Sequence, residues 1–156
     1  MRIRKATKKD LDGIVEFAYQ LHMEHITAYG VDFKLRKNFK TLHKKHVSEK
    51  MKKRKSVFFV AEADGELVGF ISGNIEEDPP VYVDRKKGKI GGLYVKESFR
   101  GKGLGKKLFA EIKKWFKKRK IKTIRLFVAR SNVPTKKVYK SLGFEPADFE
   151  QLILKM

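Results

Sequence analysis

The stretch "FRGKGLGKKL" (99–108) places three glycines at alternate positions, just before a long segment with apolar residues at helical spacing. Glycine costs backbone entropy at the start of a helix, so a run this dense needs a reason. Helix N-termini present unpaired amides and a positive dipole end, and glycines let an anion approach those amides closely. Together with its arginine and lysines, the run therefore predicts a phosphate-binding turn.

The segments on the two sides of this turn have different periodicities. "KIGGLYV" (89–95) is typical of a strand, and apolar residues recur with a helical period over 104–116. A further strand is predicted for "IKTIRLFVA" (121–129). The stretch 89–129 should therefore form a right-handed unit with two parallel strands. Ligands of such units bind at the carboxyl ends of the strands, which is where the glycine turn lies.

The rest of the chain completes a mixed pattern of strands and helices. The predicted order is β-α-α-β-β-β-α-β-α-β, which indicates the α/β class, with a mixed central sheet flanked by helices in a single domain, 1–156. An Asp-Gly pair at 64–65 is a hairpin signal, and Thr7 with Asp10 resembles a capping box. The other strands are predicted at 2–6, 56–63, 66–76 and 147–156, and the other helices within 7–30, 39–51 and 132–142.

Composition excludes several classes of protein. The 156 residues contain no cysteine, which excludes a disulfide scaffold, a thiolate zinc site and a cysteine nucleophile. There is no run of eighteen apolar residues and no apolar N-terminal stretch of the signal-peptide kind. We therefore expect a cytoplasmic protein that neither spans a membrane nor holds a metal.

The charge of the chain is unusual. Lys and Arg number 38 against 18 Asp and Glu, for a formal net charge of +20. Such a field attracts polyanions, which could be nucleic acid or a phosphate-rich cofactor. Lysine abundance can equally reflect adaptation to heat, with the lysines simply solvated. The charge alone does not decide between these interpretations.

Two well-known phosphate loops fit the glycine run badly. A Walker loop needs Ser or Thr after its Gly-Lys pair, and none follows here. The dinucleotide-binding fingerprint needs a glycine at position 106, which is Lys106, and an acidic residue after the next strand, where Ala129 and Arg130 stand.

A third loop fits. The pattern Arg-x-x-Gly-x-Gly at a strand-to-helix turn resembles the acetyl-CoA pyrophosphate loop of the GNAT superfamily of N-acetyltransferases. A second stretch, "NVPTKKVYKSLGFE" (132–145), resembles another signature of that family, in which an Asn precedes a short helix, a Tyr lies seven residues on, and Gly-Phe follows. The resemblance is strong over 90–146, and the order of elements agrees from residue 2 onward.

This resemblance implies the GNAT fold and an enzyme that moves an acetyl group from acetyl-CoA to a primary amine, directly and within a ternary complex. Backbone amides of 101–105 would bind the pyrophosphate with Arg100 close by, and the strand at 93–95 would hold the pantetheine arm in a gap between two splayed strands. Tyr139 would protonate the departing thiolate. The cofactor-binding residues implied are Leu93, Tyr94, Val95, Arg100, Gly101, Lys102, Gly103, Leu104, Gly105 and Asn132.

Two of these residues also have structural interpretations. Asn132 could simply cap its helix, and one residue can both cap and bind. Tyr139 could pack in the core with its helical neighbours Val138 and Leu142. The spacing from Asn132 to Tyr139, with Gly-Phe after it, favours the functional interpretation.

The general base stays open. Many family members carry a carboxylate where this chain has Gly91 and Gly92, which instead fit a β-bulge. A reaction without a base, using an amine of low pKa, is also compatible with the sequence. The alternative positions are Glu62, Glu76, Glu77, Asp78, His22 and His25.

The acceptor and the partners are also undecided. The resemblance puts the acceptor, a small molecule or a peptide, between the first two helices and the loop 77–87. A polycationic acceptor would need a local acidic patch, for which "EEDPP" (76–80) is a candidate. The chain could be a monomer, or a homodimer paired through the apolar run 149–154.

Two other functions compete with catalysis. The chain could be a basic module bound to nucleic acid or the ribosome, because 34–55 is rich in lysine, but it shows no RNP-like strand, zinc finger or KH-type loop, so nucleic acid is not favoured. It could also be a non-catalytic regulator that binds CoA.

Overall fold

The computed structural model describes residues 1–148 and 151–156. Over these residues the chain forms one five-stranded sheet whose strands follow chain order, with helices packed against it. The elements are β1 (Arg2–Lys5), α1 (Leu11–Thr27), α2 (Phe39–Met51), β2 (Ser56–Ala63), β3 (Glu66–Glu77), β4 (Lys86–Val95), α3 (Leu104–Lys118), β5 (Ile124–Arg125) and α4 (Val133–Ser141).

The sheet is mixed, as the sequence predicts. Strands β1 to β4 pair antiparallel, and β5 joins β4 in parallel after the crossover through α3. The hairpin between β2 and β3 turns at Asp64 and Gly65, both in the left-handed region with φ of 51° and 81°. The α/β class and the parallel pairing of the unit around the glycine turn are therefore confirmed.

Alternation along β2 builds a core on each side of the sheet. Val57 and Ala61 belong to the cluster under α3, whereas Phe58 and Val60 belong to the cluster under α1 and α2. Successive side chains of a strand point to opposite faces, so one strand serves both clusters. The glycines of β3 and β4 let α3 approach closely, since an ideal Cβ on Gly73 would lie 2.6 Å from Ile112 Cδ1.

The strand predicted at 121–129 is much shorter in the structure, where only Ile124–Arg125 are paired in the sheet. Gly88 pairs with Ile124 and Lys89 with Arg125, and beyond these two rungs β4 and β5 separate. A strand needs a neighbour to take its backbone hydrogen bonds, and 126–129 lose theirs when β4 diverges. The apolar character of 126–129 lines a cleft instead.

The closing strand predicted at 147–156 is the second prediction that the structure corrects. Phe149 and Glu150 lie outside the described residues, and the described parts of that stretch form no strand. Leu152 to Leu154 are exposed, because no described strand pairs with them. The expected pairing of two copies through the run 149–154 lies partly outside the described residues, because the run begins with Phe149 and Glu150.

An ion-paired network ties β1 to the start of α1 and to β2. Both nitrogens of the Arg4 fork donate to the carboxylate of Asp10, at 2.8 and 2.9 Å, and the same guanidinium donates to Glu62. The Thr7 backbone N–H donates to Asp10 at 2.7 Å, which is one half of the expected capping box. Asp10 is buried, so these bonds replace its water.

We expect Asp10→Asn to destabilise the fold by about 2 kcal/mol at neutral pH. Hydrogen bonding from Arg4 lowers the pKa of Asp10 to about 2, against an ordinary value of 3.8. The stabilisation is therefore complete above pH 3.8 and is lost as the pH falls through about 2. Urea unfolding of both proteins at neutral and at strongly acidic pH measures this. Asp12→Asn, on an exposed carboxylate, is the control. A stability deficit of the Asp10→Asn variant that did not shrink in acid would contradict the network.

Candidate functional site

A cleft of about 580 Å³ opens where β4 and β5 separate. One wall is the free edge of β4 at 90–95, and the facing wall is the chain at 126–128 that follows β5. The glycine turn closes one end of it. Helices α1 and α4 contribute Leu21, Glu24, His25, Val138 and Tyr139.

A β-bulge lies on the cleft wall at the position without a carboxylate. Ser72 pairs with Gly92 and Gly73 pairs with Ile90, so Gly91 is the extra residue. An ideal Cβ on Gly91 would lie 2.9 Å from Ser72 Oγ, and one on Gly92 would lie 3.4 Å from Leu21 Cδ2. A side chain at Gly91 would therefore press on the Ser72 hydroxyl, whereas one at Gly92 would make ordinary van der Waals contacts.

The strand edge beside the bulge is free on the cleft side. Leu93, Tyr94 and Val95 pair with β3 through one edge, while their other edge borders the cleft because β5 has left. The Tyr94 ring stacks on Phe17, with centroids 5.2 Å apart. What this strand offers to a molecule in the cleft is therefore its main chain.

The glycine turn presents unpaired amides to the cleft. Gly101 and Gly103 have φ of 73° and 76°, a conformation that other residues adopt at a cost, and Gly103 is the N-cap of α3. In the described part of the chain, the N–H groups of residues 104–106 donate to no backbone carbonyl. These are the orphan donors of a helix start, and they suit an anion.

Gly105 is not explained by strain or by a clash. It lies inside the first turn of α3, where alanine is the better helix former, and an ideal Cβ there meets only Leu93 Cδ2 at 3.9 Å. Gly105 lines the cleft, so a small residue keeps the helix start open to whatever lies there.

Two charged residues of the turn have partners within the protein. Lys102 donates to the Ser98 carbonyl at 3.0 Å. Arg100 donates to the Val95 carbonyl at 2.8 Å, forms an ion pair with Glu24 of α1, and lies over the Tyr94 ring. Arg100 thus fastens the turn to α1 at the edge of the cleft. No motif pointed to Glu24, although its spacing of three from Leu21 puts both on one helical face.

Asn132 and Tyr139 both line the cleft. The buried side chain of Asn132 accepts the Thr135 N–H at 3.1 Å and so caps α4. Tyr139 lies two turns further on, nearly buried, edge-on to Phe144 at 5.4 Å between centroids. Burial raises the pKa of Tyr139 to about 12, so its hydroxyl stays protonated at neutral pH.

The acidic run at the end of β3 is neutralised. Glu76 and Asp78 pair with Arg125 at 2.9 and 3.3 Å, and Glu77 pairs with Lys55 at 3.2 Å. These carboxylates hold the sheet edge and its loop together. They are not an unpaired patch that could receive a polycation.

Of the described positions considered for a general base, His25 is the one that lines the cleft. Glu62 of β2 is bound to Arg4 of β1, at the opposite edge of the sheet from the cleft. His22 Nδ1 lies 2.7 Å from the Ala18 carbonyl oxygen, and the His22 ring contacts the Phe39 ring of α2. The C-terminal end of α1 is tied across to the loop before α4, since Ser131 Oγ donates to the Tyr29 carbonyl at 2.8 Å.

None of the described helices has the length and apolar character needed to span a bilayer. Comparison with known proteins gives a family match. The model of the acetyltransferase (GNAT) family matches residues 19–144.

Three N-acetyltransferases are similar to this chain in sequence. An uncharacterized N-acetyltransferase of Methanocaldococcus jannaschii is 31% identical over 99% of this chain, which spans 65% of that relative. One of Archaeoglobus fulgidus is 32% identical over 90% of both chains. An N-alpha-acetyltransferase of Sulfurisphaera tokodaii is 36% identical over 62% of this chain and 61% of its own length.

Two solved structures are similar throughout. A mutant form of a Bacillus halodurans protein is 27% identical, with a TM-score of 0.86, and the match covers 100% of this chain and 99% of that one. A predicted acetyltransferase of Clostridium acetobutylicum, solved with acetyl-CoA, is 24% identical with a TM-score of 0.80 over 99% and 95% of the two chains.

Proposed function

The chain belongs to the GNAT acetyltransferase family, with acetyl-CoA as its cosubstrate, and we propose that it transfers the acetyl group directly to a primary amine in a ternary complex. The observation that carries the proposal is the cleft opened between β4 and β5, which ends at the glycine turn. Such a cleft offers a strand edge and a helix start in one continuous channel.

The cosubstrate would lie with its diphosphate on the amides of 101–105. The left-handed glycines and the unpaired first-turn N–H groups of α3 support this placement. The pantetheine arm would run along the free edge of 93–95 and take main-chain hydrogen bonds as an added strand does. Arg100, held by Glu24, would contribute positive charge at the rim.

The chemical step needs an oxyanion donor and an acid. A backbone N–H of β4 beside the bulge would polarise the thioester carbonyl. Tyr139, protonated at neutral pH because burial raises its pKa, would give its proton to the departing CoA thiolate. Asn132 would keep α4 capped and so hold Tyr139 in place.

The acceptor that the site supports best is a free α-amine on a neutral or acidic peptide. The acidic run that could have received a polycation is ion-paired, and Glu24 is paired with Arg100. The net charge of +20 repels polycations as well. The name of the Sulfurisphaera tokodaii relative, an N-alpha-acetyltransferase, agrees with this class.

An acceptor screen tests this proposal. Release of the CoA thiol is followed with a neutral pentapeptide, the same peptide with its N-terminus blocked, spermidine and kanamycin. We expect turnover with the free peptide, at least tenfold slower turnover with the two polycations, and none with the blocked peptide. Faster turnover of either polycation would contradict the acceptor class, and no turnover with any amine would contradict the reaction.

One observation favours a second function, the binding of nucleic acid. The exposed face of α3 carries six lysines, and Glu111 pairs with one of them, Lys114. Phosphate contacts of this kind weaken steeply with salt. A gel shift that survives physiological salt would support this function, and one that vanishes there would leave only non-specific attraction. The lysines are Lys106, Lys107, Lys113, Lys114, Lys117 and Lys118.

A further inference from the structure

The acceptor amine must lose a proton before it attacks, and the β4 bulge supplies no group to take it. Gly91 and Gly92 carry no side chain that could take a proton. Ordinary primary amines are protonated at neutral pH, so a group in or near the cleft has to accept this proton.

Most titratable groups on the cleft walls cannot accept it. Glu24 is already paired with Arg100. The side chains of Arg100 and Lys106, which also line the cleft, are cationic and have no acceptor atom. Tyr94 and Tyr139 have a pKa raised by burial, so both are already protonated. Tyr29 carries a phenol rather than an imidazole or a carboxylate.

The imidazole of His25 is placed differently. It lies one helical turn beyond Leu21, and the Leu21 side chain, like that of Phe70, lies 3.4 Å from the ideal Cβ of Gly92 at the bulge. The ring is half-buried in the cleft wall. Among the described residues it contacts the ring of Tyr29, with centroids 6.4 Å apart, and its two nitrogens are left for a bound molecule.

We propose that His25 is the general base that removes the proton from the acceptor amine. This inference rests on the proposed function, because it needs an acetyl transfer to serve. One ring nitrogen takes the proton as the ammonium N–H bond breaks. The freed lone pair then attacks the thioester carbonyl, forming the C–N bond.

The rest of the step balances without a further reagent. The tetrahedral intermediate loses the remaining excess proton of its nitrogen to solvent, and the C–S bond breaks. The CoA thiolate takes its proton from the Tyr139 hydroxyl. The imidazolium returns its proton to solvent, and the phenolate regains one from solvent, so both residues end the cycle as they began.

The burial and the charges around His25 favour its neutral form, which is the form that can accept a proton. Burial lowers the pKa of His25, the neighbouring His22 lowers it further, and Glu24 opposes them. Arg100 and Lys106 also line the cleft and add positive charge, and the remaining titratable lining groups are the hydroxyls of Tyr29, Tyr94 and Tyr139. Burial raises the pKa of Tyr94 and of Tyr139, so both of these are neutral. The ring is therefore unprotonated at neutral pH, and activity should rise with pH through a pKa below 6.5.

The pH profile of kcat/KM tests the base, with the neutral pentapeptide as acceptor. We expect His25→Gln to lower kcat/KM at least 100-fold at neutral pH and to remove the acid limb. His46→Gln, on an exposed histidine of α2 outside the cleft, should change neither. Calorimetry with acetyl-CoA checks that the variant is folded, since its cosubstrate site should be intact.

The outcomes separate this inference from the proposed function. A His25→Gln variant that keeps full activity, or keeps the acid limb, overturns the base and leaves the acetyltransferase standing. A wild-type chain that acetylates no amine overturns both. NMR titration of the wild-type imidazole gives a check without turnover: a neutral ring at neutral pH supports the base, and a protonated ring overturns it.

Discussion

Replacing Tyr139 with phenylalanine is expected to lower kcat 10²- to 10³-fold, which lies within the roughly 10²- to 10⁴-fold that a general acid usually contributes. The substitution removes one hydroxyl from a nearly buried ring and leaves its packing on Phe144 intact. The thiolate must then leave without a proton donor. Affinity for acetyl-CoA should stay within about twofold, because the backbone amides that would hold the diphosphate are untouched.

Initial rates of CoA thiol release measure this effect, and calorimetry measures the affinity. Ser141→Ala is the control, since it removes an exposed hydroxyl from the same helix, where Ser141 Oγ donates to the Val138 carbonyl at 2.7 Å, and Ser141 does not line the cleft. The raised pKa of Tyr139, about 12, also predicts that wild-type activity shows no alkaline loss from this group below about pH 11. Unchanged turnover in the phenylalanine variant would show that Tyr139 only packs.

Replacing Gly103 with glutamate is expected to weaken acetyl-CoA binding at least 100-fold. Gly103 has φ of 76°, where a side chain costs about 1–2 kcal/mol, and nothing lies within 4 Å of its ideal Cβ, so the new carboxylate points into open space beside the turn. There it would meet the diphosphate as a like charge. Strain and repulsion act in the same direction.

The control for this variant is Gly65→Glu in the hairpin between β2 and β3. Gly65 has nearly the same backbone conformation, with φ of 81°, and the same open surroundings, but it lies away from the cleft. Both variants should lose similar stability, so a difference in acetyl-CoA affinity reports the turn itself. Equal affinities in the two variants would mean that the turn does not bind the diphosphate.

Local patterns in the sequence predict most of the fold. The bounds of α2 and β2 agree residue for residue with the apolar and β-rich runs, and the Asp-Gly signal is the turn between β2 and β3. These elements are encoded locally, by periodicity and turn chemistry. The strand at 121–129 was predicted too long because its residues are apolar enough for a sheet, whereas its pairing depends on where β4 bends away.

The site divides in the same way. The glycine turn, Asn132 and Tyr139 follow from two motifs, and the structure brings them to one cleft. The ion pair between Glu24 and Arg100 joins residues 76 positions apart, and no local pattern encodes such a contact. The neutralised state of the run 76–78 likewise depends on Arg125 and Lys55, which only the sheet brings near.

A crystal structure of the chain with acetyl-CoA tests the central claim most directly. We expect the diphosphate within hydrogen-bond distance of the amides of 101–105, with the pantetheine arm between 93–95 and 126–128. A diphosphate bound elsewhere, with this turn empty at saturating acetyl-CoA, would contradict the account.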